Sequence, residues 1–272
     1  MTDKNRNIDI MGIVNLTDNS YFADSRCLGV DGNPDVDKII GMVAGMLSDG
    51  ATIIDVGACS TRPGSTAVGE DEEWRRLSMV LPVLRESFPD VPISVDTYWS
   101  SVVCKVYDAI GNFIVNDISA GEDDKDMLSS VGDRGLSYIA MHKRGNPQTM
   151  QSLCNYDDVT EELLRYFDNF SHLASRAGIR NWVLDPGFGF AKTIDQNYQL
   201  MSDLERFTCF DRKILVGISR KSMIFKLFGI TPEEALPQTQ VLHLAALQNG
   251  ADILRVHDVA EASRTLQLYR KL

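Results

Sequence analysis

Short apolar runs alternate with longer amphipathic segments along almost the whole chain, and this alternation limits the possible folds more than any other feature. The candidate strands are Ile8–Val14, Thr52–Val56, Pro92–Val95, Phe113–Asn116, Ser137–Met141, Trp182–Leu184, Lys213–Ile218 and Asp252–Val256. Each is bounded by Gly, Pro, Asp or Asn, which punctuate strands. Between them the spacing predicts helices. Val36–Ser48 puts Ile39, Ile40, Val43 and Leu47 on one face. Asp71–Phe88 opens with acids, which suit the positive end of a helix dipole. Thr160–Ala177 carries Leu163, Leu164, Phe167 and Leu173 near helical spacing, with Gly178 as its C-cap. Thr239–Gln248 runs up to Gly250, and Ala260–Leu272 closes the sequence.

Eight strands, each followed by a helix, make eight βα units with no remainder. The crossovers demand parallel pairing. An open doubly wound sheet would need a switch point in its strand order. An eightfold alternation over 272 residues fits a closed TIM (β/α)₈ barrel better. No linker, repeat or low-complexity stretch interrupts it, so residues 1–272 are expected to form one domain.

The net charge of −11 argues against nucleic-acid backbones and anionic membranes as partners. The 44% hydrophobic fraction is ordinary for a globular protein. Five scattered cysteines include no C-x-x-C pair, which argues against a disulfide scaffold or zinc site and fits a reducing compartment. The first residues lack an apolar signal core, and no apolar run approaches a membrane span. A cytoplasmic location follows as the expectation.

Sites in such barrels lie at the carboxyl ends of the strands. The first strand ends in Asn15 and the second in Asp55, followed by Ala58-Cys-Ser-Thr-Arg-Pro-Gly64. The third ends in Asp96, the fourth in Asn116-Asp117, and the fifth in Met141-His142. The sixth runs into Asp185-Pro-Gly-Phe-Gly-Phe-Ala-Lys192. The seventh ends in Ser219-Arg220-Lys221 and the eighth in Arg255-Val-His257. Any one of these has a plain structural reading. Asp96 precedes Thr97 and Asp185 precedes Pro186, so capping competes with a site role. Asp55 and Asp117 are the weaker contact candidates, and His142 reads first as a satisfied core histidine. His172 and His243 fall inside helical stretches and read as structural or solvent-facing. Eight polar strand ends on one rim together favour a site. Gly187-Phe-Gly-Phe190 is too glycine-rich for a packed element and reads as a mobile loop.

Arg255 and His257 lie two apart on a strand and therefore share a face. With Arg62 they offer donors for phosphate oxygens. Asn15 could complete a magnesium site with phosphate oxygens and water, the sparse protein ligation this ion favours. Asp96, Asn116, Asp185 and Lys221 form a donor–acceptor set suited to a nitrogen heterocycle. A heterocycle joined to a pyrophosphate satisfies both halves.

The tracts Asn15-Leu-Thr, Asp55-Val-Gly with Ser60-Thr-Arg-Pro-Gly64, Ser94-Val-Asp-Thr97, Asn116-Asp117, Met141-His142, Asp185–Phe190, Ser219-Arg-Lys-Ser222 and Arg255-Val-His257 resemble the dihydropteroate synthase family, in order, from about Ile10 to Val259. The resemblance implies a TIM barrel joining 6-hydroxymethyl-7,8-dihydropterin pyrophosphate to p-aminobenzoate, a step of folate synthesis. It implies that Asp96, Asn116, Met141, Asp185 and Lys221 hold the pterin. Asn15, Arg62, Arg255 and His257 would hold the pyrophosphate with Mg2+, for which Asn15 is the protein ligand. Thr61, Arg62, Pro63, Phe190, Ser219, Arg220 and Lys221 would surround p-aminobenzoate. Asp96, Asp185, Lys221 and Arg255 would be the catalytic set, and a homodimer the assembly. Pyrophosphate would leave first, and the already nucleophilic aniline nitrogen would then attack without a strong base.

The first loop departs from the family pattern: Asp18 stands where the family usually has proline and Asn19 where it has aspartate, so neither is given a role. Ala191 replaces a customary glycine before Lys192. Three other readings compete. A pterin-binding methyltransferase domain would share the acidic pocket but need no pyrophosphate clamp. A catalytically silent pterin-binding paralogue would keep the pocket alone. An aldolase-like barrel would use Lys221 as a Schiff-base amine but leaves the acids without purpose.

Overall fold

The computed structural model describes residues 6–17, 27–29, 32–59, 68–146 and 148–272. The strands are β1 (Asp9–Asn15), β2 (Ile53–Gly57), β3 (Ile93–Asp96), β4 (Ile114–Asp117), β5 (Ser137–Met141), β6 (Trp182–Asp185), β7 (Leu215–Val216) and β8 (Ile253–Val256). The helices among the described residues are α1 (Val36–Ser48), α2 (Glu70–Ser87), α3 (Ser100–Ile110), α4 (Met127–Asp133), α5 (Val159–Arg176), α6 (Ile194–Ser202), α7 (Ser222–Phe228), α8 (Leu236–Gln248) and α9 (Val259–Tyr269). The strands pair in parallel in the order β6-β5-β4-β3-β2-β1-β8-β7. A single parallel bridge, Leu184 to Ile214, joins the two ends of that order. The result is the nearly closed TIM barrel that the alternation predicts.

Three local expectations are corrected. β7 is far shorter than Lys213–Ile218, because the Ile214 amide donates to the Asp252 side chain and the backbone turns before Arg220, which has φ 52°. Two helices, α7 and α8, fill the β7–β8 connection where one was expected. On α5 the buried stripe is Leu163, Phe167, Phe170 and Ala174, a 4-3-4 spacing. Leu173 is one position off that stripe and 47% exposed.

The inner face of the barrel explains where the site lies. Met11, Ile53, Ile139, Leu215 and Ile253 form a closed apolar layer inside, with Ile114 and Val183 packed against it. Residues two apart on a strand share a face. One step up the same strands therefore brings Ile13, Asp55, Asn116, Met141, Asp185, Gly217 and Arg255 to the next inward layer. Apolar residues seal the floor, and polar ones stand above it.

Buried acids also lie outside this layer. Glu73, on α2, is fully buried, and neither carboxylate oxygen has a hydrogen-bond partner among the described residues. Burial pushes its pKa up to about 7, with the charge of Asp96 adding to the shift. The folded state thus holds a proton that the unfolded chain releases near the ordinary value of 4.5. Stability falls as pH rises through that window. Glu73→Gln should therefore raise stability at pH 8.5 by up to about 3 kcal/mol and have little effect near pH 5. Denaturant melts of both proteins at the two pH values check this; an equal effect at both would contradict it.

Candidate active site

The polar strand ends converge on one cavity of about 350 Å³. Asn15, Asp96, Asn116, Met141, Asp185, Phe190, Ser219, Arg220, Lys221, Arg255 and His257 all line it. Thr61, Arg62 and Pro63 lie outside the described residues, as do Asp18 and Asn19. The cavity also takes in Ile13, Thr17, Cys59, Ile118, Met150, Gln151, Phe225 and Lys226, which sequence reasoning did not single out. Ile13 was recoverable from the period-2 pattern through Asn15. Met150, Gln151, Phe225 and Lys226 arrive on loops and the short α7, whose course no local signal gives.

Arg255 shows how the electrostatics are arranged. Its Nε and Nη2 meet Asp55 Oδ2 at 2.7 and 2.6 Å, and Nη2 also reaches Asp96 Oδ2 at 2.9 Å. The guanidinium thus bridges two carboxylates on β2 and β3. Asp55 is fully enclosed beneath the cavity, accepting also from Ser94 Oγ at 2.6 Å and Asn116 Nδ2 at 3.2 Å. It supports the site from below rather than facing the cavity. Burial pushes the Asp96 carboxyl up to about 7, against the opposing pull of Arg255. Burial likewise raises Asp185, while Lys221 draws it down. Lys221 is lowered to about 8, chiefly by burial.

Asp117 is a turn-holder. Its carboxylate accepts from the Ser119 amide and hydroxyl, the Gly121 amide and the Tyr138 hydroxyl. His142 is buried, and burial holds its imidazole well below the ordinary histidine range. His172 is exposed and His243 buried. Arg220 forms a two-point pair with Asp258, Nε and Nη2 each at 2.8 Å, and donates to the Pro232 and Glu233 carbonyls. This guanidinium ties the α7–α8 connection to the start of α9.

The segment after β6, read from sequence as mobile, is instead tied at several points. Asp185 Oδ1 accepts from the Gly187 amide at 2.8 Å, and the Gly189 amide donates to Asn197 Oδ1 at 2.7 Å. Phe188 is fully buried and lines the cavity together with Phe190, whose ring centre lies 4.8 Å from Lys221 Nζ. Gly187 has φ +69°, and a Cβ there would lie 2.0 Å from the His142 carbonyl oxygen. Gly187→Ala should thus cost at least about 2 kcal/mol, from strain and overlap together. Gly135→Ala, at φ +63° with open space around it, carries strain alone and should cost only about 1 kcal/mol. Paired thermal melts distinguish the two.

Asp96, Asn116, Asp185 and Lys221 line this one cavity together with the cationic Arg255 and with His257. Such a lining holds a polar heterocycle bearing an anionic group. Residues 11–257 match the model of the pterin binding enzyme family. Dihydropteroate synthase of Escherichia coli (strain K12) is 39% identical over 261 residues, covering 95% of this chain and 89% of that protein. The Bacillus subtilis (strain 168) dihydropteroate synthase is 37% identical, over 95% and 86%. Among solved structures, the Yersinia pestis dihydropteroate synthase in a sulfonamide drug complex superposes with a TM-score of 0.88 at 36% identity, covering 97% and 93%. The Xanthomonas albilineans dihydropteroate synthase with 4-aminobenzoic acid gives 0.86 at 34%, covering 98% and 93%. The chain belongs to the dihydropteroate synthase family.

Proposed function

We propose that this chain condenses 6-hydroxymethyl-7,8-dihydropterin pyrophosphate with p-aminobenzoate, releasing pyrophosphate and 7,8-dihydropteroate for folate synthesis. The observation that carries the reading is the convergence of the strand ends: Asp96, Asn116, Asp185 and Lys221 meet in one cavity with Arg255 and His257. The carboxylates accept from pterin N–H and amino groups, and Asn116 and Lys221 donate to ring nitrogen and carbonyl oxygen. Met141 packs against the ring. His257, Arg255 and Arg62 stabilise the departing pyrophosphate, and the difficult moment is charge separation at the pterin methylene. Asp96 and Asp185 favour the resulting cation electrostatically. Phe190, Lys221, Ser219 and Arg220 border the arylamine, and the family resemblance assigns Thr61, Arg62 and Pro63, outside the described residues, to the same substrate. The enclosed site keeps water from trapping the cation.

The residues suit a diphosphate-borne Mg2+. Among the described residues no cluster of three or more His, Cys, Asp or Glu could hold a metal alone. Asn15 offers one neutral oxygen to the cavity, which fits an ion that keeps its waters and phosphate ligands. When bound, the ion would offset charge on the leaving pyrophosphate.

We read the protein as one domain acting as a cytoplasmic homodimer. None of the five cysteines is in a disulfide, and no helix among the described residues is long and apolar enough to cross a membrane. Leu227, Phe228, Val241 and Leu268 are exposed on α7, α8 and α9, apolar side chains that a second copy would cover.

Sulfonamides test the arylamine half of the reading. They should raise the apparent KM for p-aminobenzoate without lowering kcat, and leave the KM for the pterin substrate unchanged. Steady-state kinetics checks this, and inhibition that p-aminobenzoate does not relieve would remove the assignment of the Phe190 side of the cavity.

A further inference from the structure

Buried lysines are rare without an acidic partner. Lys192 is 3% exposed and makes no ion pair among the described residues. Its Nζ instead donates to the Gly187 and Phe190 carbonyls, each at 3.0 Å, and lies 3.1 Å from His142 Nδ1. An ammonium has three N–H donors and no acceptor, and three acceptors surround this one. Burial keeps His142 neutral, so Nδ1 is free to accept when the ring proton is on Nε2.

The same turn meets a second lysine from the other side. Lys221 Nζ donates to the Phe188 carbonyl at 2.6 Å and stands over the Phe190 ring. Between Gly187 and Phe190, three carbonyls are therefore held by two lysines, one under the turn and one in the cavity. Ala191, at φ 49°, bends the backbone so that Lys192 can reach back beneath it. Asp185 itself is anchored by the β6 pairing, and its side chain accepts from the Gly187 amide at the start of the turn.

We propose that Lys192, with His142 Nδ1 as one of its acceptors, is a positioning residue that fixes the Gly187–Phe190 turn and thereby sets Phe190 on the arylamine side of the cavity. The identity of the ligand there rests on the proposed function. The clamp itself rests on the geometry. Burial also lowers Lys192 to about 7, against the charge of Asp185 and together with Lys221 and Arg144, Cys154 opposing them.

Lys192→Met keeps the length of the side chain and removes every donor. In the intact chain, its KM for p-aminobenzoate should rise about tenfold or more, a change of about 1.4 kcal/mol. Its calorimetric Kd for the dihydropterin pyrophosphate should stay within about threefold of the parent value. An unchanged arylamine KM would overturn the proposal, as would equal losses on both sides of the cavity. If the variant does not fold, ¹⁵N NMR of the unaltered protein decides: a neutral His142 with its proton on Nε2 supports the clamp, and an Nδ1–H tautomer or an imidazolium overturns it. Absence of product from the unaltered protein would refute the proposed function, and the tautomer measurement would still stand apart from it.

Discussion

Asp185→Asn should lower kcat/KM for the condensation by about 10³-fold or more while the protein stays folded. Asp185 ends β6, lines the cavity, and is nearly enclosed. Among the described residues its side chain accepts one hydrogen bond, from the Gly187 amide to Oδ1 at 2.8 Å, and an amide oxygen can accept that bond equally well. The loss falls instead on the ligand. A neutral amide would present a donor where a carboxylate accepted, and a pterin N–H would meet it in a place with no water to substitute. It would also remove a negative charge facing the developing cation. Calorimetry with the dihydropterin pyrophosphate, alongside a thermal melt, separates the two possible roles. Lost affinity with a retained Tm is expected. Retained affinity with a fallen Tm would mean that Asp185 serves as a turn cap.

Arg255→Ala should destabilise the fold by about 3–5 kcal/mol as well as weaken diphosphate binding by about 2–4 kcal/mol. The stability effect comes from the geometry beneath the cavity. Asp55 has no access to water, and its charge is met by Arg255 with help from Ser94 and Asn116. Removing the guanidinium leaves that charge buried and uncompensated, and leaves Asp96 without its opposing cation. The two effects can be pulled apart by adding Asp55→Asn, which removes the stranded charge. The double variant should recover much of the stability but none of the diphosphate affinity. Recovery of both would show that Arg255 acts only through the fold, and recovery of neither would contradict the Asp55 pairing.

Much of this was legible in the sequence because one periodicity governs both fold and site. Apolar runs of a few residues ending in Asn15, Asn116, Asp185 or Arg255 place the polar residue on the same inward face as the apolar one two positions before it. The residue types then restrict the ligand. What the sequence hid is what depends on tertiary approach. Arg255 reads as an unpaired cation in an acidic chain, yet it arrives between Asp55 and Asp96, residues far from it along the chain. Arg220 reads as a member of a cationic pair with Lys221, but a positive φ at that residue turns it toward Asp258. The tied turn at Gly187–Phe190 was obscured because its anchors, Lys192, Asn197 and Lys221, act across loops. Leu173 was misplaced by a single position, which on a helix moves a side chain by 100° and so from core to solvent.

The central claim is that this cavity joins a pterin to an arylamine. Product formation by liquid chromatography–mass spectrometry tests it most directly. The protein is mixed with 6-hydroxymethyl-7,8-dihydropterin pyrophosphate, magnesium and p-aminobenzoate, each omitted in turn. The account predicts 7,8-dihydropteroate in the complete mixture and none when either organic substrate is left out. Folded protein that binds the pterin but forms no dihydropteroate would contradict it, and would leave the cavity as a pterin-binding site without this chemistry.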